Sequence, residues 1–142
     1  MKKLATKLRE AQVFAHAAHN VVHGPSFFAD HEFLKDAYKA YTKAYDMTIE
    51  DMIGLGEEVN PIQVTANAAD EANTRYNILR MDAYDMFSEL LTLEREICDI
   101  ITETIKDGVT HGTSNLLEGF ATDSQVRQYK IKQRILWLPN PS

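Results

Sequence analysis

The first half of the chain carries imidazole and carboxylate side chains whose spacing raises the question of a metal site. Residues 16–31 contain four of the five histidines, and Asp46 and Glu50 follow with three residues between them. Imidazole together with carboxylate suits iron, and zinc or manganese could use the same ligands. On a helix, Asp46 and Glu50 would share one face about 6 Å apart. Such pairs are also common on solvated helices, so they do not establish a site alone.

The distance along the chain separates the candidate ligands into two groups. His31 precedes Asp46 by fifteen residues and Glu50 by nineteen. A straight helix would place them about 22 and 28 Å apart along its axis. Two copies of the helix, antiparallel about a twofold axis, could bring them level if the paired residue numbers add to about 79. The axis would then pass near Lys39 and Ala40.

Apolar residues at helical spacing predict an all-α protein with four long helices, at about 3–22, 27–55, 75–106 and 114–137. The clearest seam has 4-3-4-3-4-3 spacing and consists of Leu79, Ala83, Met86, Leu90, Leu93, Ile97 and Ile100. Ser26 is the expected N-cap of the second helix, and Thr113 or Ser114 that of the fourth. Gly54 is expected in the last turn of the second helix, and Pro139 is expected to stop the fourth.

The connections between these helices differ in length. The first and third are short, which predicts antiparallel neighbours, while the second spans about residues 57–74. One long crossover between the second and third helices is typical of a ferritin-like four-helix bundle. A short helix is expected at 65–74 within it. The whole chain, 1–142, is predicted to be one domain.

Composition narrows the classes of protein further. The net charge of −6 argues against broad nucleic-acid binding. Without a long apolar run or an apolar leader, no membrane span or secretory signal is expected. The single cysteine, Cys98, excludes an intrachain disulfide framework and suits a reducing, cytoplasmic location.

The pattern of residues 14–56 resembles the signature of the Dps family, the mini-ferritins. It comprises His19, Gly24, Phe27-Phe28 and His31, then Asp46 and Glu50, then Leu55-Gly56. The resemblance implies a ferritin-like four-helix bundle that assembles into a dodecamer. It also implies a ferroxidase centre at the twofold dimer interface, with His19 and His31 from one chain and Asp46 and Glu50 from the partner. Iron would be oxidised, with peroxide or oxygen as oxidant, and stored as ferric iron against oxidative damage.

Several residues depart from the family pattern or remain open. Lys35 stands where the family commonly has an aspartate, which would weaken a second iron position. Asn20 replaces a common tryptophan. His16, one turn before His19, is a candidate auxiliary ligand. Asp30 is a candidate to orient His31. His23 is expected to contact the end of its helix rather than metal.

Two other functions fit the same sequence. One is a Dps-like protein that binds and protects DNA, with secondary iron chemistry. The other is a catalytically silent helical bundle that has lost the second metal position, and Lys35 in place of an aspartate would indicate this loss.

Overall fold

The computed structural model describes residues 1–138, and over that range the chain folds into five α-helices without β-strands. They are α1 (Lys2–Val21), α2 (Phe27–Gly54), α3 (Pro61–Arg75), α4 (Ala83–Asp107) and α5 (His111–Leu136). The four long helices α1, α2, α4 and α5 are the predicted bundle, and α3 lies in the crossover. The prediction of an all-α ferritin-like fold is confirmed. Across residues 1–138, no helix has the length and apolarity needed to cross a membrane.

The bundle is held by two close helix pairs, α1 with α2 and α4 with α5, which meet mainly through α1 and α4. Helices α2 and α5 touch only sparsely. The core between the helices consists of large side chains that are almost fully buried. They include Leu4, Leu8, Phe14, Leu34, Tyr41, Leu90, Leu93, Ile97, Leu117 and Ile131.

The crossover helix α3 is longer than its prediction at 65–74. It begins at Pro61 because the side chain of Asn60 accepts hydrogen bonds from the backbone of Ile62 and Gln63, at 3.0 and 3.3 Å. An Asn-Pro pair of this kind is a sequence signal for a helix start. The helix buries Val64, Ala68 and Ala72 and packs against α1.

The predicted start of the third long helix at residue 75 is wrong. Helix α4 starts at Ala83, after a 3-10 turn at Ile78–Arg80. Asp82 and Asp85 form a reciprocal capping box there, which fixes the first turn. Leu79, counted in the seam, is 84% exposed because it lies in the 3-10 turn. The seam holds from Met86 onward.

The other predicted helix ends agree with the structure in part. Gly54 ends α2 as predicted, and Ser26 is its N-cap residue, although the Ser26 side chain makes no capping hydrogen bond. Helix α5 is capped by Thr110 instead of Thr113 or Ser114. Thr113 is buried and donates its hydroxyl to Asp51 at 2.7 Å. Pro139 lies outside the described residues.

Candidate metal centre

His19 on α1 and His31 on α2 form a tightly matched pair at the surface of the bundle. The Nδ1 of His19 lies 2.7 Å from the carbonyl oxygen of His31, and the Nδ1 of His31 lies 2.7 Å from the carbonyl oxygen of His19. The two rings stack with their centroids 3.7 Å apart. Each histidine therefore holds the other in place through a backbone carbonyl.

These hydrogen bonds fix which ring nitrogen carries the proton. A carbonyl oxygen only accepts, so the Nδ1 of each histidine must donate. In the neutral ring the Nε2 then keeps its lone pair. Metal-binding histidines are commonly held in this way, with one ring nitrogen bonded to a carbonyl and the other free for the metal. The described fold therefore presents His19 and His31 in the form that a metal requires.

Aromatic rings surround the pair on the α1 and α2 side. Phe27 stacks on His31 with the centroids 4.9 Å apart. Tyr38 meets the edge of His19 at 5.4 Å and stacks on His16 at 4.1 Å. These contacts restrict rotation of the His19 and His31 rings. His16 lies at the same edge, with its ring 6.2 Å from that of His19.

Asp46 and Glu50 lie on the solvent-exposed face of α2, opposite its buried side. Both are exposed, whereas Tyr45, Thr48 and Ile49 between and beside them are buried. Because α2 is continuous from Phe27 to Gly54, the carboxylates stay about 22 and 28 Å along the helix from His31. Within residues 1–138, no three His, Cys, Asp or Glu side chains are grouped so that they could hold a metal ion. In a single chain, the histidine pair and the carboxylate pair are therefore two separate groups of candidate ligands.

Asp30 does not orient His31, contrary to the sequence-based hypothesis. Its carboxylate is buried and accepts two hydrogen bonds from Arg134 of α5, at 2.7 and 2.9 Å. The His19 carbonyl orients His31 instead. Lys35 forms an ion pair with Glu32, at 3.2 Å, along the same helix. His23 is exposed, and its Nδ1 lies 3.4 Å from the carbonyl of Val21 at the end of α1, as predicted.

The interior of the bundle contains a polar cluster that the sequence analysis missed. Glu94 is fully buried and accepts hydrogen bonds from Tyr41, from Ser124 at 2.6 Å and from Arg127 at 2.7 Å. Burial and the Glu94 charge raise the pKa of Tyr41 well above its ordinary value. The sequence feature that could have indicated this cluster is the position of Glu94 directly after Leu93 of the apolar seam.

A second buried glutamate, Glu10 on α1, ties the crossover to the bundle. It accepts from Lys7 at 2.9 Å, from Arg75 at 3.3 Å and from Tyr76 at 3.2 Å. Burial, together with the Glu10 charge, raises the pKa of Tyr76. Because Arg75 also binds Glu96, this cluster fixes the end of α3 against α1 and α4.

Comparison with known protein families decides the family of the chain. A family model described as Ferritin, the ferritin-like domain, matches residues 1–137. The chain belongs to the ferritin-like domain family. No curated protein sequence matches it. The match covers nearly the whole chain, in agreement with the four-helix bundle and its crossover.

Within this ferritin-like domain, the groups open to a metal lie on the outside of the bundle. Both carboxylate oxygens of the interior Glu94 already accept hydrogen bonds, from Tyr41, Ser124 and Arg127. By contrast, His19 and His31 present Nε2 atoms without a hydrogen-bond partner among residues 1–138. The chemistry of the open groups, imidazole and carboxylate, is that of an iron, zinc or manganese site.

Proposed function

We propose that this ferritin-like protein is a mini-ferritin of the Dps type that oxidises ferrous iron and stores it in a cage built from identical chains. Its ferroxidase centre would form only when two chains pair. His19 and His31 of one chain would face Asp46 and Glu50 of the partner subunit. The reciprocal hydrogen bonds of His19 and His31 carry the proposal, because they prepare both Nε2 atoms for a ligand that one chain cannot complete.

The positions of the two half-sites support the proposed dimer. The carboxylates are exposed near the C-terminal end of α2. His31 lies near its N-terminal end with His19 of α1 beside it, and α2 continues unbroken between the two groups. An antiparallel pairing about an axis near Lys39 and Ala40 would place each histidine pair beside the partner's carboxylates. One twofold axis would then generate two identical centres.

Iron is the substrate of this centre, and the chain's groups serve to bind and place it. Imidazole nitrogens and carboxylate oxygens suit both ferrous and ferric iron. Two ferrous ions supply the two electrons that reduce one hydrogen peroxide to two waters, with two protons taken up. Because both electrons are delivered together, no hydroxyl radical is released. Glu50, exposed beside Asp46, is the candidate to bridge two iron positions.

Lys35 affects how many iron ions the proposed centre can bind. Its ammonium group lies one turn after His31 on α2 and is held by Glu32. A cation there adds no ligand and repels iron, so the second iron position would be the weaker one. The first position needs only the histidines and the partner's carboxylates.

The proposal is tested by measuring ferrous iron oxidation in variants of each half-site. His31→Ala and Asp46→Ala should each reduce the initial rate at least about tenfold, since loss even of groups that support a metal ligand costs roughly 10–100-fold. His23→Ala is the matched control and should keep the wild-type rate, because His23 contacts only the end of α1. Wild-type rates in both half-site variants would contradict the proposal.

Assembly is tested separately by native mass and iron loading. We expect the mass of twelve chains, many ferric ions per chain after aerobic loading, and no binding to DNA at physiological salt. A monomer at micromolar concentration would contradict the shared centre. Retarded DNA with a steep salt dependence would instead favour the DNA-protecting function.

A further inference from the structure

The outer face of α2 is exposed along the whole helix, while α1 and α5 adjoin its other sides. Residues three, four and seven apart share one face of a helix, and the large exposed side chains of α2 follow this spacing closely. They are Phe28, Glu32, Asp36, Lys39, Lys43, Asp46, Met47, Glu50 and Ile53. The centre of this face is charged, and its two ends are apolar.

Asp36 and Lys43 stand two helical turns apart on this outer face and carry opposite charges. Both are exposed, and neither forms an ion pair within residues 1–138. Two antiparallel copies of a helix bring residues level when their numbers have a constant sum. The numbers 36 and 43 add to 79, which is also the sum that brings His31 level with the two carboxylates. Each Asp36 would then lie level with Lys43 of the partner subunit, and the twofold axis would form this ion pair twice.

Other pairings of the same two faces bring like charges together. A shift by seven residues in one direction sets Asp36 opposite Asp36 of the partner subunit, and a shift in the other direction sets Lys43 opposite Lys43 of the partner subunit. A parallel pairing does both at once. Like charges placed opposite each other disfavour a contact. The charges of α2 therefore favour the antiparallel register over these alternatives.

The apolar ends of the outer face agree with the same register. Phe28, near the start of α2, is 86% exposed, and Ile53, near its end, is 54% exposed. Their numbers add to 81, which differs from 79 by two residues, or about 3 Å along the helix. Side chains of this size span such an offset. Antiparallel pairing would thus place Phe28 against Ile53 of the partner subunit at both ends of the contact and remove both from water.

We propose that the outer face of α2 binds the same face of a second copy of this chain, and that the two Asp36–Lys43 ion pairs set the antiparallel register without metal. This inference rests on the proposed two-chain centre, because it uses the same twofold axis. It adds that the iron-free dimer already holds each histidine pair beside the partner's carboxylates. Iron then enters a centre that the charges of α2 have assembled, and it is not needed to join the two chains.

The test exchanges the two charges, one chain at a time, in the iron-free full-length protein kept in a chelator at low salt. Asp36→Lys and Lys43→Glu each set like charges opposite each other twice, so the dissociation constant of each homodimer should rise at least about tenfold. The two variants mixed in equal amounts carry opposite charges at both positions. Native mass should then show mixed dimers outnumbering the two homodimers together by at least about fivefold, whereas random pairing gives equal numbers.

Matched controls carry the same changes of charge away from this face. Asp99→Lys on α4 and Lys132→Glu on α5 alter exposed positions, and their mixture should pair at random. One chain that carries both Asp36→Lys and Lys43→Glu restores the ion pairs in reverse and should dimerise within about threefold of wild type. Random pairing of the α2 variants would overturn the proposal. An equal preference in the control mixture would also overturn it, because net charge alone would then explain the pairing.

The pairing test is independent of iron chemistry, so the two proposals can fail separately. Preferred mixed dimers together with a wild-type protein that does not oxidise iron would support the α2 contact and contradict the ferroxidase centre. Random pairing together with rapid iron oxidation would overturn the ion pairs and leave the iron chemistry standing.

Discussion

Polar side chains inside the bundle and on its surface differ in how fully their hydrogen-bonding groups are satisfied. Inside, both carboxylate oxygens of Glu94 accept hydrogen bonds, which Tyr41, Ser124 and the Nε of Arg127 donate. Outside, His19 and His31 are held just as firmly, yet each keeps one ring nitrogen open. The interior cluster is complete within one chain, while the Nε2 atoms of the surface pair have no hydrogen-bond partner among residues 1–138.

This difference separates stability from function. A buried charge must be matched within the fold, because an uncompensated one costs several kcal/mol. An oriented surface group can remain open at little cost, since water satisfies it until a ligand or a second chain arrives. The contrast predicts that changes inside lower the free energy of unfolding, whereas changes outside alter iron chemistry alone.

The largest expected effect on stability comes from removing the interior carboxylate. Glu94→Leu should lower the free energy of unfolding by about 3–5 kcal/mol, because Arg127 is left as an uncompensated buried cation. Urea denaturation measures this loss. The control, Glu50→Gln on the exposed face, should stay within about 0.5 kcal/mol of wild type. Similar losses in both variants would remove the distinction between the two regions.

An intermediate effect is expected for Asp30, which lies next to His31 in sequence but belongs to the interior. Asp30→Ala should lower the free energy of unfolding by about 1.5–3 kcal/mol, through loss of its paired hydrogen bonds with Arg134. The rate of iron oxidation should remain within about twofold of wild type, because the His19 carbonyl orients His31. A tenfold lower rate in a folded Asp30→Ala protein would indicate that Asp30 supports the metal centre after all.

The smallest effect concerns pH and the partly exposed end of the Glu10 cluster. The hydrogen bond from Arg75 lowers the pKa of Glu96 below its ordinary 4.5. Glu96 therefore contributes stability above pH 4.5 and loses it as the pH falls through its lowered pKa. Glu96→Gln should reduce the Tm at pH 7 by up to about 4 °C, with the difference shrinking below pH 4.5.

Glu71 of α3, also close to Glu10, has a pKa shifted in the opposite direction from that of Glu96. The nearby carboxyl group of Glu10 raises the pKa of Glu71 above 4.5. Its favourable contribution is present at low pH and is lost as the pH rises through the raised pKa. Glu71→Gln should therefore raise the Tm at pH 7. Equal losses in Glu71→Gln and Glu96→Gln would contradict the assigned contacts.

The sequence predicted the helices well where periodicity and breaks agreed, as in α2, which ends at Gly54 as expected. It failed at residues 75–82 because Leu79 and Ala83 continue the apolar spacing by chance across a 3-10 turn. Spacing shows which residues share a face, but it does not show that the helix begins only at the capping box of Asp82.

The candidate ligands of the centre could be proposed from the sequence, but the geometry of the histidine pair could not. The resemblance to the Dps signature singled out His19, His31 and the carboxylate pair. The exchange of carbonyl hydrogen bonds between α1 and α2 depends on how the helices pack, which spacing does not determine. For the same reason, Asp30 was assigned to His31, its sequence neighbour, although Arg134 lies 104 positions away in sequence and contacts it in the fold.

The central claim, a centre completed by two chains, is tested most directly by mixing inactive variants. His31→Ala and Glu50→Ala should each oxidise iron slowly alone. Co-assembled at equal amounts, they should recover about a quarter of the wild-type rate, since half of the dimers are mixed and each holds one intact site. A mixture of His31→Ala with His19→Ala should not recover, because both variants damage the same half. No recovery in the first mixture, with mixed dimers verified by mass, would contradict the shared centre.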